Sequence, residues 1–265
     1  MSGYSNNEKF LIIAGGGKFG KKALDFAKKN QYKTILIDID PNCFASEYSN
    51  KKFENLENLS LEMKNIKPGD IYFLNQDIST IYELISKINP EYVVPVVPIH
   101  LLFLIINSFL SSNNIKMIPN ENLMKFFINN ANSELILDHI VEKGVVYLSY
   151  AKKEEICPDN CSGPPDYCPN FKRDKPITIT KYINNFYRVE NNFKIQNNKI
   201  SSFIIILESY QLVSGLGALK GTEIDRVLKE LMKKLDILLN KKFNLIIATT
   251  CNCHGVVNFY KNYQK

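Results

Sequence analysis

Residues 10–40 constrain the fold of this chain more than any other stretch. Phe10, Leu11, Ile12, Ile13 and Ala14 form a continuous apolar run, the signature of a strand covered on both faces. Gly15, Gly17 and Gly20 follow in the pattern G-x-G-x-x-G, with Lys18 and Phe19 inside it. Ala23, Leu24, Phe26 and Ala27 then recur at helical spacing, with Lys21, Lys22, Lys28 and Lys29 among the polar positions. Thr34 to Ile37 read as a second strand that ends in Asp38-Ile39-Asp40. Strand, glycine turn, helix, strand and acid in this order is the arrangement that holds a dinucleotide. The first glycine permits the tight turn, the second lets backbone approach a pyrophosphate, and the third lets the helix pack on the sheet. Asp38, and after it Asp40, is placed to accept hydrogen bonds from an adenosine ribose. Gly15, Gly17, Lys18, Phe19 and Gly20 are the other cofactor-binding candidates here. A glycine turn can also pack a helix and bind nothing, so the pattern leaves both readings open.

At these residues the chain resembles the N-terminal nucleotide-binding domains of potassium-uptake regulators, and more loosely precorrin dehydrogenases and other Rossmann proteins. The resemblance rests on Gly15, Gly17, Gly20, Asp38 and Asp77, and it does not extend into the second half. It implies a Rossmann-like parallel sheet and an NAD or NADP ligand.

A chain of 265 residues can bury a full core and has room for two modest domains. Its net charge of +6 comes from scattered lysines with glutamates between them, not from a basic arm, which argues against nucleic acid as a partner. Met1 to Lys9 is polar and has no apolar signal region. Tyr92 to Leu110 is apolar but interrupted by Pro95, Pro98 and His100, so a buried strand and helix explain it better than a membrane span. A cytoplasmic protein is expected, in which cysteines serve as metal ligands or redox groups rather than as disulfides.

Further strands are expected at Asp70 to Leu74 and Tyr92 to Val97, with a helix at Ile81 to Ile88 between them. In a parallel sheet ligands bind at the carboxyl ends of the strands. That edge takes in Asp77 as a cofactor contact and His100 as a catalytic candidate, because histidine titrates near neutral pH. His100 also heads an apolar helix, where a plain boundary histidine fits equally well. Lys116 to Ile118 reads as a last short strand, and Pro119 as the end of the first domain.

The second half, residues 120–265, reads as a smaller α+β domain. Helices are expected from Asn120 to Lys143, strands at Val145 to Tyr150, Ile177 to Arg188, Phe193 to Ile195 and Ile200 to Leu207, and a turn at Asn197-Asn198. Ser214 to Gly221 is a second glycine-rich loop before a helix, either a tight turn or a place for the phosphate or carboxylate of a substrate.

Cysteines mark this half. Cys157, Cys161 and Cys168 lie in a loop rich in Pro, Gly and Asn, which has little apolar material to hold its own shape. Cys251 and Cys253 follow an apolar strand near the C-terminus. A metal would supply the missing ordering energy. An all-thiolate set with proline after Cys157 and Cys168 favours an iron–sulfur cluster. Zinc is one alternative and a thiol redox pair without metal another, and the spacings match neither metal's common signatures. Five cysteines leave one spare for four ligands. If Cys251 and Cys253 lie in extended chain they share a face and His254 points away. His254 is a catalytic candidate beside the spare thiol, a ligand, or a surface residue.

These readings combine into a cytoplasmic, NAD(P)-linked oxidoreductase with a cysteine-ligated metal centre. Its small-molecule substrate is unknown, it has no nucleic-acid or membrane partner, and a homo-oligomer is compatible with the sequence. The alternatives are a nucleotide-sensing regulatory module with structural zinc, and a sulfur-handling metal-dependent enzyme.

Overall fold

The computed structural model describes residues 9–193 and 201–263. It is a mixed α/β protein whose chain divides into two compact units: Met1–Ser108 with Tyr210–Arg226, and Phe109–Ser209 with Val227–Lys265.

The first part of the chain runs β1 (Phe10–Ala14), α1 (Lys18–Lys29), β2 (Lys33–Asp38), β3 (Lys51–Phe53), α2 (Leu56–Glu62), β4 (Ile71–Asn75), α3 (Ile81–Ile88), β5 (Tyr92–Pro95) and α4 (Leu101–Ser112). Every residue of β1 is buried, as its unbroken apolar run requires. Helix α1 buries Gly20, Ala23, Leu24 and Ala27 on one face and ends in Lys28 and Lys29, whose charges suit a helix C-terminus. The apolar stretch from Tyr92 is a strand followed by a helix. Among the described residues no helix is long and apolar enough to cross a membrane.

The chain continues through β6 (Met117–Pro119), α5 (Glu121–Asn130), β7 (Ile136–Ile140), β8 (Val145–Ser149), β9 (Tyr167–Cys168), β10 (Arg173–Asp174), α6 (Ile179–Phe193) and β11 (Ser201–Glu208). It ends with β12 (Tyr210–Val213), β13 (Leu216–Lys220), α7 (Gly221–Lys233), α8 (Leu235–Asn240), β14 (Phe243–Thr250) and β15 (His254–Asn262). Three expectations are corrected here. Ile136 to Ile140 is not helical: after a single 3-10 turn at Ser133–Leu135 the chain enters β7, which pairs with β8. Ile177 to Arg188 is not strand: Ile179, Ile183 and Tyr187 are buried one helical turn apart, so packing on one face overrides the β-branched composition. Met117–Pro119 pairs with β15 in the second unit rather than closing the first sheet. The turn expected at Asn197-Asn198 and residues 194 and 195 lie outside the described residues.

In the first unit the sheet order is β12-β13-β5-β1-β2-β4-β3. Neighbours from β5 to β3 pair in parallel, and the β12–β13 hairpin adds antiparallel to β5 through Leu219 opposite Val93. Residues 210–220, read from sequence as part of the second half, therefore extend the first sheet. Leu216 and Ala218 pack in one core with Leu11, Ala23 and Phe73.

In the second unit the order is β11-β14-β15-β8-β7, with β6 also pairing β15. Only β11 and β14 pair in parallel among these; the rest are antiparallel. Its core joins Phe127 of α5, Ile179 and Ile183 of α6, and Ile246, Val257 and Phe259 of the sheet.

Candidate functional site

Two groups of candidate residues stand out, one in each unit.

In the first unit, the turn after β1 uses its glycines in three different ways. Gly15 has φ +108°, and a Cβ there would stand 2.8 Å from both the Val96 carbonyl oxygen and Val97 Cγ1. A Cβ on Gly20 would lie 2.3 Å from the Gly15 carbonyl oxygen, so α1 can approach the turn only with glycine there. Gly17 is exposed, and a Cβ on it would meet nothing within 4 Å. Its backbone is thus the part of the turn left open to a ligand. Gly17 is also the N-cap of α1, whose own first turn holds no acidic residue to compete with an anion at the positive end of the helix. Lys18 beside it is exposed and Phe19 half-buried.

Gly16, the residue between the first two glycines of the pattern, is confined as well: a Cβ there would fall 2.1 Å from Cys43 Sγ. Buried Cys43 thus backs the turn. The Gly16 amide donates to Asp38 Oδ2 at 2.5 Å, and the Asp40 amide donates to Asp38 Oδ1 at 2.9 Å. Asp38 stands half-buried against the glycine turn. Asp40 accepts from the Asn42 amide and Asp77 from the Ser79 amide, so each of these exposed carboxylates closes its own local turn. His100 is half-buried at the head of α4, where its carbonyl accepts from the Leu104 amide.

Next to the turn is a cleft of about 450 Å³ walled by Phe19, the Pro95–Pro98 segment and Gly215–Gly217. The second glycine loop is therefore a wall of this cleft. Ser214-Gly215 turns the β12–β13 hairpin, and Lys22 Nζ donates to the Ser214 carbonyl at 2.8 Å. The Gly221 amide donates to Glu91 O, and Lys220 Nζ lies 4.0 Å from the Tyr210 ring centroid.

In the second unit, Cys251-Asn252-Cys253 forms the turn between β14 and β15, where Thr250 pairs with Gly255. Residues 150–178 pack on this turn. The Tyr150 amide donates to Cys253 O, Asn252 Nδ2 donates to Gly163 O at 2.9 Å, and the amides of Ile179 and Thr180 donate to Asn252 and Cys251 carbonyls. The two cysteine groups, far apart in sequence, share one end of the sheet.

The expectation that His254 points away from the cysteines is corrected, because the chain there is a turn and not extended. His254 Nε2 lies 3.6 Å from Cys157 Sγ and its Nδ1 3.9 Å from Cys251 Sγ. The ring keeps an exposed edge, while the chain crowded on it and then the Lys175 charge favour neutral imidazole. Burial, followed by the charges of Cys161, Cys168 and Cys253, pushes the Cys157 thiol up. Burial also raises Cys251, opposed by hydrogen bonds from the Cys253 and His254 backbone. Cys161 Sγ accepts from the Gly163 amide at 3.3 Å and from Asn170 Nδ2 at 3.5 Å. None of the six cysteines forms a disulfide. Among the described residues, no three His, Cys, Asp or Glu side chains already stand in an arrangement that would hold a metal ion.

Lys175 escaped sequence reading, since one lysine in a polar loop carries no signal. It is only 3% exposed, and its Nζ donates to Cys253 Sγ at 3.0 Å and to the Pro164 carbonyl.

Two family models match the chain. AF_1314_N, described as "Uncharacterized protein, N-terminal domain", matches residues 10–101. AF_1314_C, described as "Uncharacterized protein, C-terminal domain", matches residues 108–262. A protein of Archaeoglobus fulgidus described as "Uncharacterized protein" is 28% identical over 251 residues, covering 94% of this chain and 98% of that one. No solved structure matches.

Proposed function

We propose that this chain, which belongs to the AF_1314 family, is a cytoplasmic oxidoreductase that binds a nicotinamide dinucleotide on a Rossmann-like first unit. The observation that carries the reading is the division of labour in the glycine turn. Gly15 and Gly20 are glycine because backbone crowds them, whereas nothing crowds Gly17. A packing role explains the first two and leaves the third without a reason; a pyrophosphate laid against the turn supplies one.

In this reading the Gly17 backbone and the N-terminus of α1 hold the pyrophosphate. Asp38, with both carboxylate oxygens already oriented by the Gly16 and Asp40 amides, accepts from the adenosine ribose. The strand order supports the same polarity: β2 and β4 lie on one side of β1 and β5 on the other, and ligands of such sheets bind where the order reverses. The apolar cleft beside β5 would take the nicotinamide ring and exclude water from its reactive face. When bound, the dinucleotide supplies hydride-transfer chemistry. Six cysteines without a disulfide among them fit a reducing compartment.

A second reading, a nucleotide-sensing regulatory module, is favoured by one observation: no side chain lining that cleft titrates. Binding and turnover separate the two. The chain contains no tryptophan, so reduced-nicotinamide fluorescence can be titrated against the whole protein without indole background. Saturable NADH binding with acceptor-dependent oxidation supports the oxidoreductase. Binding without turnover under any acceptor supports the sensor, and no binding of either NADH or NADPH sinks both.

A further inference from the structure

The loop from residue 150 to 178 has almost no buried apolar surface with which to hold its shape. Loops longer than about 12–15 residues without structure of their own are uncommon in compact domains. Here the secondary structure is a pair of two-residue strands, β9 and β10. Of residues 150–178 only Ala151, Cys168 and Lys175 are buried, and Ile156 is 89% exposed. Burial of apolar surface does not order this segment.

Lys175 adds an independent observation. A buried ammonium is costly unless an opposite charge and hydrogen bonds accompany it. Among the described residues its Nζ reaches a carbonyl oxygen and a sulfur, and no carboxylate. The positive charge is therefore built toward sulfur. Cys161, on the same loop, likewise receives N–H donors, from Gly163 and Asn170. Donors directed at sulfur are what thiolates bound to a metal require, because each carries negative charge that the interior must offset.

We propose that the second unit carries a thiolate metal site formed by Cys157, Cys161 and Cys168 of this loop and Cys253 of the β14–β15 turn, with Lys175 as its counter-ion and Cys251 outside the ligand set. The bound metal, a single zinc-like ion or an iron–sulfur cluster, draws the neighbouring thiols into a closed site, each giving its proton to solvent. Its coordination free energy orders the loop in place of a core. Cys251 serves the turn instead, accepting the Cys253 and His254 amides. Lys175 is a positioning residue: it tethers Cys253 to Pro164 and offsets the charge of the thiolate set.

The test uses the full-length chain purified without oxygen, with iron, sulfide and zinc measured in one sample. The metal-free protein is then titrated with Co²⁺, reading thiolate-to-cobalt charge transfer in competition with a chelator. Bound iron with sulfide identifies a cluster, and zinc alone identifies a single ion; either supports the site. Cys157→Ser, Cys161→Ser, Cys168→Ser and Cys253→Ser are each expected to weaken Co²⁺ binding at least roughly tenfold, whereas Cys251→Ser retains affinity and spectrum. Lys175→Met should weaken Co²⁺ binding about tenfold, and Lys175→Arg should restore most of it, with circular dichroism checking that both variants fold. A wild-type chain with no metal and no cobalt spectrum overturns the site. Loss in Cys251→Ser with retention in Cys253→Ser overturns the ligand set, and equal affinity in Lys175→Met overturns the counter-ion. These outcomes are read without any nucleotide, so they stand or fall apart from the function proposed above.

Discussion

The carboxylate of Asp38 accepts a hydrogen bond from the Gly16 amide at 2.5 Å, joining the tip of β2 to the turn that follows β1. The contact fixes the acid at the rim of the glycine turn and leaves lone pairs on both its oxygens. Hydrogen bonds to a charged partner are worth about 1.5–3 kcal/mol. Asp38→Asn should therefore weaken NADH binding roughly tenfold or more. The same charge repels a 2′-phosphate, so the wild-type chain should prefer NADH to NADPH and the variant should narrow that preference. Parallel fluorescence titrations check both; an unchanged ratio removes Asp38 from the ribose site.

Gly17 and Gly20 separate ligand binding from folding. A methyl group on Gly20 would collide with the Gly15 carbonyl, which is backbone and cannot rotate away. Gly20→Ala should cost about 2–4 kcal/mol of stability in a urea titration. Gly17→Val adds bulk in open space and should unfold at nearly the wild-type urea concentration, yet lose nucleotide binding. A Gly17→Val protein that binds NADH normally would refute the placement of the pyrophosphate.

Leu216 lies far along the chain from β1 but is buried in the same core as Leu11, Ala23 and Phe73. Leu216→Ala should destabilise the first unit by about 2–4 kcal/mol. Hydrogen exchange is the direct readout: the amides of β1 and β5 should lose protection. If only residues 210–220 respond, the hairpin is an appendage and not part of that core.

Arg173 holds Glu155 through two hydrogen bonds, at 2.9 and 2.6 Å, across the cysteine-bearing loop. The Lys152 amide and then Arg173 hold the Glu155 carboxyl below its usual range. A depressed carboxyl stabilises the fold above its unfolded value, about 4.3, and that contribution disappears as pH falls through the lower folded value. Protection of amides in residues 150–178 should thus be flat above about pH 5 and fall in more acid solution. Glu155→Gln should show reduced protection already at neutral pH. A pH-independent pattern in the wild type would dismiss the clamp.

The amino-acid sequence by itself determined the elements whose signals are local. The β1–α1–β2 unit, its glycine turn and the acid at Asp38 could be read because side-chain period, turn chemistry and chain direction are set within a few neighbouring residues. Tertiary structure alone decided the rest. Composition gave Ile177–Arg188 as strand, and the facing sheet of the second unit made all of it from Ile179 onward a helix by burying Ile179, Ile183 and Tyr187 on one side. Residues 210–220 joined the first sheet because β5 offered an edge whose backbone groups needed partners, and no local pattern in a hairpin names the strand it will meet. Cys157 came to stand beside His254, and Lys175 beside Cys253, only because β8, β14 and β15 pair so that a loop and a turn share one end of a sheet. Such proximity is a property of strand register, which is fixed by burial across the whole sheet rather than by the residues that end up in contact.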